Sequence, residues 1–537
     1  MKALKFSTVA KKIAMGSLVL GLALPFNQVK AAPTDDIAAL KQQLAAMQQQ
    51  MAQLQSQLKS IESKPVANTS SSTTSNGNAM TNAALTEEVE YLNKRLSKAE
   101  LHTSTDKVSF GINLRSRVDS IHTEGVKANA AGNIDKYNTD NDLLFTTRLR
   151  LDMKSKLSDK FDFAGRIAMY KTWGDSTGVN YFDGTGNSVT YDGNTSSLPH
   201  GDTLHLERAY FNYKGSLGQS STNFSVGRRP GTEGTPFEYR NGSLVGGSPL
   251  ASIMNWQFDG ISANFTLEDY TGLEGSAIKF CYGVGFEGDI IGDNQYQNQP
   301  GVPGTSGVKD VNFGGFIATI YDNDLTSYVV NYSRAWDVSD NFSGITYDTA
   351  TGYTRQDPTV NLGTWDAISL LAKTNLIEAF DKDVDLFCSV SLSHTAPNSA
   401  HMATAMGGAG LLNDAGDDSS RLGHAIYLGA IFPVFENSKW GIEYNYGSKY
   451  WFNFTGAEDS LVGGKLAARG QVWETYFIQP IYKSNFVMTV GAKYYNYKYS
   501  NSGSSIGEPV RISDLTGRFM PASDNVLDMY ISLDANF

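Results

Sequence analysis

The sequence predicts an all-β transmembrane barrel of about 16 antiparallel strands (14–18), preceded by a helical coiled coil. Three observations lead there. From Lys107 onward apolar and polar residues alternate at period two through sixteen runs, the signature of strands with one apolar and one wet face. The connections between runs alternate short and long. The chain also opens on an export-type segment, and no later stretch approaches the roughly eighteen consecutive apolar residues of a membrane helix. A membrane-embedded chain of this kind must satisfy its backbone in a closed barrel.

Taken in order, Lys2, Lys5, Lys11 and Lys12 precede an apolar stretch from Ile13 to Phe26, and small residues follow at Val29-Lys30-Ala31. Residues 1–31 are therefore expected to be a signal peptide. Residues 32–64 carry Ile37, Leu40, Leu44, Met47, Met51, Leu54, Leu58 and Ile61 at alternating spacings of three and four. That is the seam of a coiled coil, expected in the periplasm; its mixed Ile, Leu and Met leave dimer and trimer both open. Pro65 ends it, and 65–82, rich in Ser, Thr and Asn, reads as a flexible linker. A short helix is expected over 83–104, leading to the barrel at 105–537.

The sixteen expected strands are 107–120, 142–155, 160–173, 202–214, 222–230, 257–268, 276–288, 310–320, 325–336, 364–375, 383–394, 424–432, 439–450, 471–480, 485–499 and 525–537. Short links such as 156–159 and 321–324 alternate with long segments such as 174–201 and 396–421. Turns sorted by length onto two rims are a property of outer-membrane barrels, whose long loops face outward. An even count puts both ends of the barrel segment on the short-turn rim. Strand-end aromatics (Tyr170, Trp173, Tyr213, Trp336, Tyr450, Trp451, Tyr494) suit interfacial girdles.

The formal charge of −11, about −16 once the five signal lysines are gone, excludes nucleic acid as a partner class. The two cysteines fall on opposite faces in the alternation, Cys281 with the polar residues and Cys388 with the apolar ones, so no disulfide is expected. The seven His are scattered without catalytic or metal-ligand spacing, and no CxxCH occurs; neither enzyme activity, metal nor cofactor is expected.

The candidate site is the polar face of the early strands. Arg115, Arg117, Arg148, Arg150, Arg166 and Arg229 fall there, with Glu443 and Glu474 inward on late strands. Two readings stand. A basic wall facing acidic residues resembles the transverse field of general porin constrictions and favours anions. Alternatively the arginines pair with Asp119, Asp142, Asp152 and Asp162 and line water. The facing of Arg208, next to Glu207, does not follow from the alternation. The Pro- and Gly-rich segment 231–256 either bends into the lumen or stands outside it.

The last strand, Asn525 to Phe537, with apolar residues at every second position and a terminal Phe, resembles the closing strand of Gram-negative outer-membrane barrels. There the assembly machinery reads such a terminal residue, which makes Phe537 the expected assembly signal. The order of signal, coiled coil, linker and barrel, with Leu206-Glu207-Arg208-Ala209-Tyr210-Phe211 and Ser225-Val226-Gly227-Arg228-Arg229-Pro230-Gly231, resembles an uncharacterised family of porin-type outer-membrane barrels from respiring proteobacteria. That resemblance implies passive transport and brings no catalytic residues. The expectation is an outer-membrane pore for small hydrophilic solutes or ions, a homo-oligomer (trimer), in contact with outer-membrane lipid and lipopolysaccharide. The alternative is a structural tether, or a sheath around an exported electron-transfer or periplasmic partner.

Overall fold

The computed structural model describes residues 108–537 apart from 130, 132, 175–198, 200, 244–246, 287–308, 340–344, 349–351, 356–359, 378–381, 403–407, 436, 457 and 516–521. The expected signal peptide, coiled coil, linker and short helix lie outside the described residues.

The first half of the barrel is β1 (Val108–Ala128), β2 (Ile134–Lys156), β3 (Phe161–Thr172), β4 (His205–Leu217), β5 (Ser220–Arg229), β6 (Phe258–Thr266), β7 (Ala277–Phe286) and β8 (Val311–Asp322). After β9 (Thr326–Ser339) a two-stranded hairpin, β10 (Ile345–Asp348) with β11 (Gly352–Arg355), stands apart from the barrel sheet. The barrel then resumes with β12 (Asn361–Asn375), β13 (Asp385–Pro397), β14 (Arg421–Pro433) and β15 (Lys439–Gly447). It ends with β16 (Gly470–Tyr482), β17 (Phe486–Tyr497) and β18 (Ala522–Asn536).

Sixteen of these strands form one closed antiparallel ring, each beside its sequence neighbour, with β18 pairing back onto β1. Leu114 stands opposite Ala535 and Asp119 opposite Tyr530. Closure reaches the last residue: the Ile112 N–H donates to Phe537 O at 3.1 Å and the Phe537 N–H to Ile112 O at 2.9 Å. A ring of this kind leaves no unpaired sheet edge.

The faces are inverted relative to a protein that buries its apolar side. Along β12, Ser369 is fully buried while Leu370 is 53% exposed. On β13, Ser389, Ser391 and Ser393 are buried between exposed Val390 and Leu392. The same outward apolar series runs round the ring through Phe110, Leu114, Val226, Ile261, Phe280, Ile368 and Trp473. On β18 it is Asp528, Tyr530 and Ser532 that are buried and Leu533 that is exposed. Monomers in water rarely expose apolar surface continuous beyond a few hundred Å².

Short links (157–160, 218–219, 323–325, 434–438) gather at one rim and long ones at the other. The expected first long loop, 121–141, is instead a continuation of strand: β1 and β2 pair out to Ala128 opposite Ile134, leaving only 129–133 as connection. The extension of β1 stays paired to β18 as far as Val126 opposite Ala522, while β2 runs on beyond its last pairing with β3 at Thr146 opposite Thr172. The polar alternation in Thr123, Glu124, Asn138 and Thr139 lacks the apolar face by which the wall strands were recognised.

Three of the expected girdle aromatics leave the outer face: Tyr450 is half-buried against the interior core, its hydroxyl donating to Glu508 at 3.0 Å, and two more face the interior. Tyr170 is 3% exposed beneath Arg115, and Trp451 is fully buried, its indole N–H donating to Leu466 O at 2.8 Å. Trp173, Tyr213, Trp336 and Tyr494 do sit exposed on the outer face. Cys281 is half-buried and Cys388 exposed, both as free thiols.

Candidate functional site

Long connections fold into the barrel and decide the character of its lumen. Two of them, 230–257 and 448–469, carry charged groups into it, and the connection 398–420 adds Leu411 and Leu412 to its core. The first, 230–257, leaves β5 and carries the short helix α1 (Phe237–Asn241). Its Glu233 meets Arg150 of β2 and Arg208 of β4, whereas its Leu250 N–H donates to Asn331 Oδ1 of β9 at 3.0 Å. Ser252 Oγ lies 2.8 Å from Ser369 Oγ of β12. Those strands stand on opposite sides of the ring, so the segment crosses the lumen. Of the two readings left open for it, the bent-in one holds.

The second, 448–469, enters between β15 and β16 and is knitted to the first. The Asn255 N–H donates to Phe454 O at 2.8 Å, and Asn453 Nδ2 to Ser252 O at 2.9 Å. Apolar residues of both segments (Ile253, Met254, Trp256, Phe452, Phe454) pack with Phe313, Trp365 and Ala425 of the inner wall into a core inside the barrel. Trp256 and Phe454 stack at 5.0 Å between ring centroids. At the short-turn rim the inward Ser109 and Lys154 are exposed.

The expected site residues all face inward, but each is engaged. Arg148 and Arg115 share Asp459, Arg115 at 3.0 Å. Arg150 bonds Glu207 at 2.9 Å and Glu233 at 2.6 Å. Arg166 pairs with Asp152 at 2.7 Å, and Arg117 with Asp119 and Asp528. Asp119 and Asp152 are thus partners foreseen for the arginines, whereas Asp162 pairs with Lys214 at 2.7 Å. Arg229 donates to Ser262 Oγ at 2.5 Å and lies over the Tyr210 ring.

Glu443 and Glu474 are directly opposed across β15 and β16 and both buried. Two like charges so placed repel unless a cation intervenes. Lys465, carried in by the second loop, is ion-paired to both. Tyr427 and Tyr476 hydroxyls donate to Glu443 at 2.6 and 2.8 Å, and Tyr530 donates to Glu474 at 2.8 Å. The acid pair therefore anchors a loop instead of facing the arginines across open water.

Several members of the site were not visible in the alternation. Glu207 and Arg208 both point inward because β4 is bulged there: Arg166 opposes Arg208 while the next residue, Ile167, opposes Leu206. An extra residue in one strand breaks period two, the reason Arg208 could not be placed by alternation. Glu233, Arg240, Glu458, Asp459 and Lys465 come from the inserted loops. Arg240 bonds Glu458 at 2.6 Å, and Lys493 of β17 reaches the same carboxylate at 3.4 Å. The surrounding cations hold the Glu233, Glu458 and Asp459 carboxyls below their usual range, against burial, which pushes the other way. Among the described residues no group of His, Cys, Asp and Glu could hold a metal ion.

Comparison with family descriptions matches residues 138–537, through the bulged strand, both inserted loops and the closing strand, to the family described as "Protein of unknown function (DUF3373)". The chain belongs to the DUF3373 family. No curated protein matches it. Among solved structures this DUF3373 barrel is similar to the outer-membrane protein OmpT of Vibrio cholerae, at 10% identity over 80% of this chain and 99% of that one, TM-score 0.39. It is similar to OprB of Pseudomonas putida, at 11% identity over 82% and 97%, TM-score 0.41. It is also similar to an anion-selective porin from Comamonas acidovorans, at 12% identity over 80% and 99%, TM-score 0.41.

Proposed function

We propose that this DUF3373 protein is an outer-membrane channel through which small hydrophilic solutes or ions diffuse passively, its lumen narrowed by the loops 230–257 and 448–469. The observation that carries this reading is the inversion of faces: an apolar, exposed outer wall around an inner wall rich in Arg, Lys, Asp, Glu and Ser. Such a surface suits lipid outside and water or solute within, and a sixteen-stranded ring is wide enough to hold an aqueous channel. The export-type segment, the trimer and the long loops facing the exterior belong to the same reading. So does Phe537, 80% exposed at the end of the closing strand, as the residue read by the assembly machinery.

Planar-bilayer recording on refolded protein tests it, with discrete conductance steps as the expected result. Reversal potentials in a salt gradient, on the wild type and with Arg148 and Arg150 replaced by Gln, then test whether the basic wall sets anion preference. An unchanged potential would reduce these arginines to anchors for the loops. A second reading, a closed structural barrel tethering or sheathing a periplasmic partner, is favoured by the inserted loops and their apolar core inside the ring. Folded protein that never conducts would select it.

A further inference from the structure

Of the buried or half-buried lumen cations, three meet no carboxylate: Arg469, whose guanidinium is taken up by the backbone carbonyls of Trp451, Ser500, Asn501 and Ser504, and two whose donors remain largely free. Arg115, Arg117, Arg148, Arg150, Arg166, Arg208 and Arg240 each meet at least one carboxylate. Arg229, at the end of β5, meets only the Ser262 hydroxyl and the face of Tyr210. Lys279 of β7 meets only the Ser248 hydroxyl, at 2.9 Å. Neither has an acidic partner among the described residues.

Strand register brings the two together. Ser262, which accepts from Arg229, stands opposite Cys281, and Lys279 lies two residues along β7 on the same inward face. Both are half-buried against a low-dielectric wall, where an uncompensated positive charge draws an anion far more strongly than it would in water.

Beside them is a pocket of about 560 Å³, counted with the open space at its mouth, between the inserted loop and strands β5 to β9. Arg229, Ser248 and Cys281 line one part of it; Met254, Phe258 and Phe313 line another. The planar guanidinium of Arg229 matches a carboxylate with two parallel donors, and Lys279 adds a second charge. The rings of Phe258 and Phe313, 5.3 Å apart, offer an apolar body a dry surface.

We propose that this pocket binds a small monocarboxylate with an apolar body, its carboxylate between Arg229 and Lys279 and its body against Phe258 and Phe313. As a solute-holding position in the lumen it rests on the channel reading above, but binding does not require conduction.

Isothermal titration of the detergent-purified full chain with benzoate, benzylamine and inorganic phosphate tests it. Saturable benzoate binding is expected, with no benzylamine binding and weaker phosphate binding. The Arg229→Gln/Lys279→Gln double variant is expected to weaken benzoate by about tenfold or more, the loss of charge-assisted hydrogen bonds. Arg229→Lys, which keeps the charge and loses the fork, is expected to fall between. Retention of the barrel by each variant is checked by its heat-modifiable migration in gels. Phosphate bound as tightly as benzoate, or benzoate affinity unchanged in a folded double variant, would overturn the proposal. Silent bilayers with intact benzoate binding would sink the channel reading and leave this one standing.

Discussion

Glu458 and Asp459, adjacent in the chain, close two different ion-pair clusters. Glu458 binds Arg240 of the other inserted loop and Lys493 of β17, while Asp459 binds Arg115 of β1 and Arg148 of β2. One dipeptide thus ties the second loop to the first loop and to three wall strands. With Lys465 fastened to Glu443 and Glu474, the loop is held a second time seven residues further on from Glu458.

Asp459→Asn removes the carboxylate that Arg115 and Arg148 share and leaves the arginines in place. The lumen gains one net positive charge beside the inserted loop. Reversal potentials in a KCl gradient are expected to move toward chloride, by more at low salt than at high salt, since screening shortens the reach of the added charge. An unmoved potential would mean that ions do not pass this cluster.

Lys465→Met leaves Glu443 and Glu474 buried against each other with no cation between. Removing one side of a buried charge group typically costs about 3–5 kcal/mol. The urea midpoint of the refolded barrel should drop accordingly. Adding Glu443→Gln and Glu474→Gln to Lys465→Met should recover most of the loss, because the uncompensated charges are then gone. No recovery would point to packing of the lysine stem as its contribution.

The carboxyls of Glu233, Glu458 and Asp459 are held below their usual values, chiefly by Arg150, Lys493 and Arg148 respectively, which outweigh burial. A carboxyl depressed on folding contributes stability that is fully present above its unfolded value, about 4. That contribution is lost only as pH falls through the lower folded value. The loops should therefore stay locked from neutral pH through about pH 5, and loosen only under stronger acid. Limited proteolysis of the long loops across pH, with an acid-tolerant protease, reads this directly; cleavage rising already near pH 6 would contradict it.

Leu370 and Ser369 are chain neighbours on opposite faces, one 53% exposed and the other fully buried. If lipid covers the outer wall, Leu370→Arg costs about 2–4 kcal/mol near the bilayer midplane. If water covers it, an exposed Leu→Arg change costs within about 0.5 kcal/mol. Urea unfolding from phospholipid vesicles separates the two.

The wall is legible in the chain's local pattern. Period-two alternation located all sixteen barrel strands, the sorting of short and long links set the two rims, and Arg115, Arg148, Glu443 and Glu474 were placed on the inner face. These features are legible because a strand's side-chain direction repeats every two residues and depends only on local backbone. The tertiary structure alone decided what fills the ring. Glu233, Asp459 and Lys465 lie in irregular segments with no period to reveal their direction, and their partners are strands far away in sequence, so only the closed barrel shows which charges meet. The bulge at Glu207 marks the boundary between the two: one inserted residue breaks the local rule, and the ion pairs across the lumen supply the direction that the alternation no longer could.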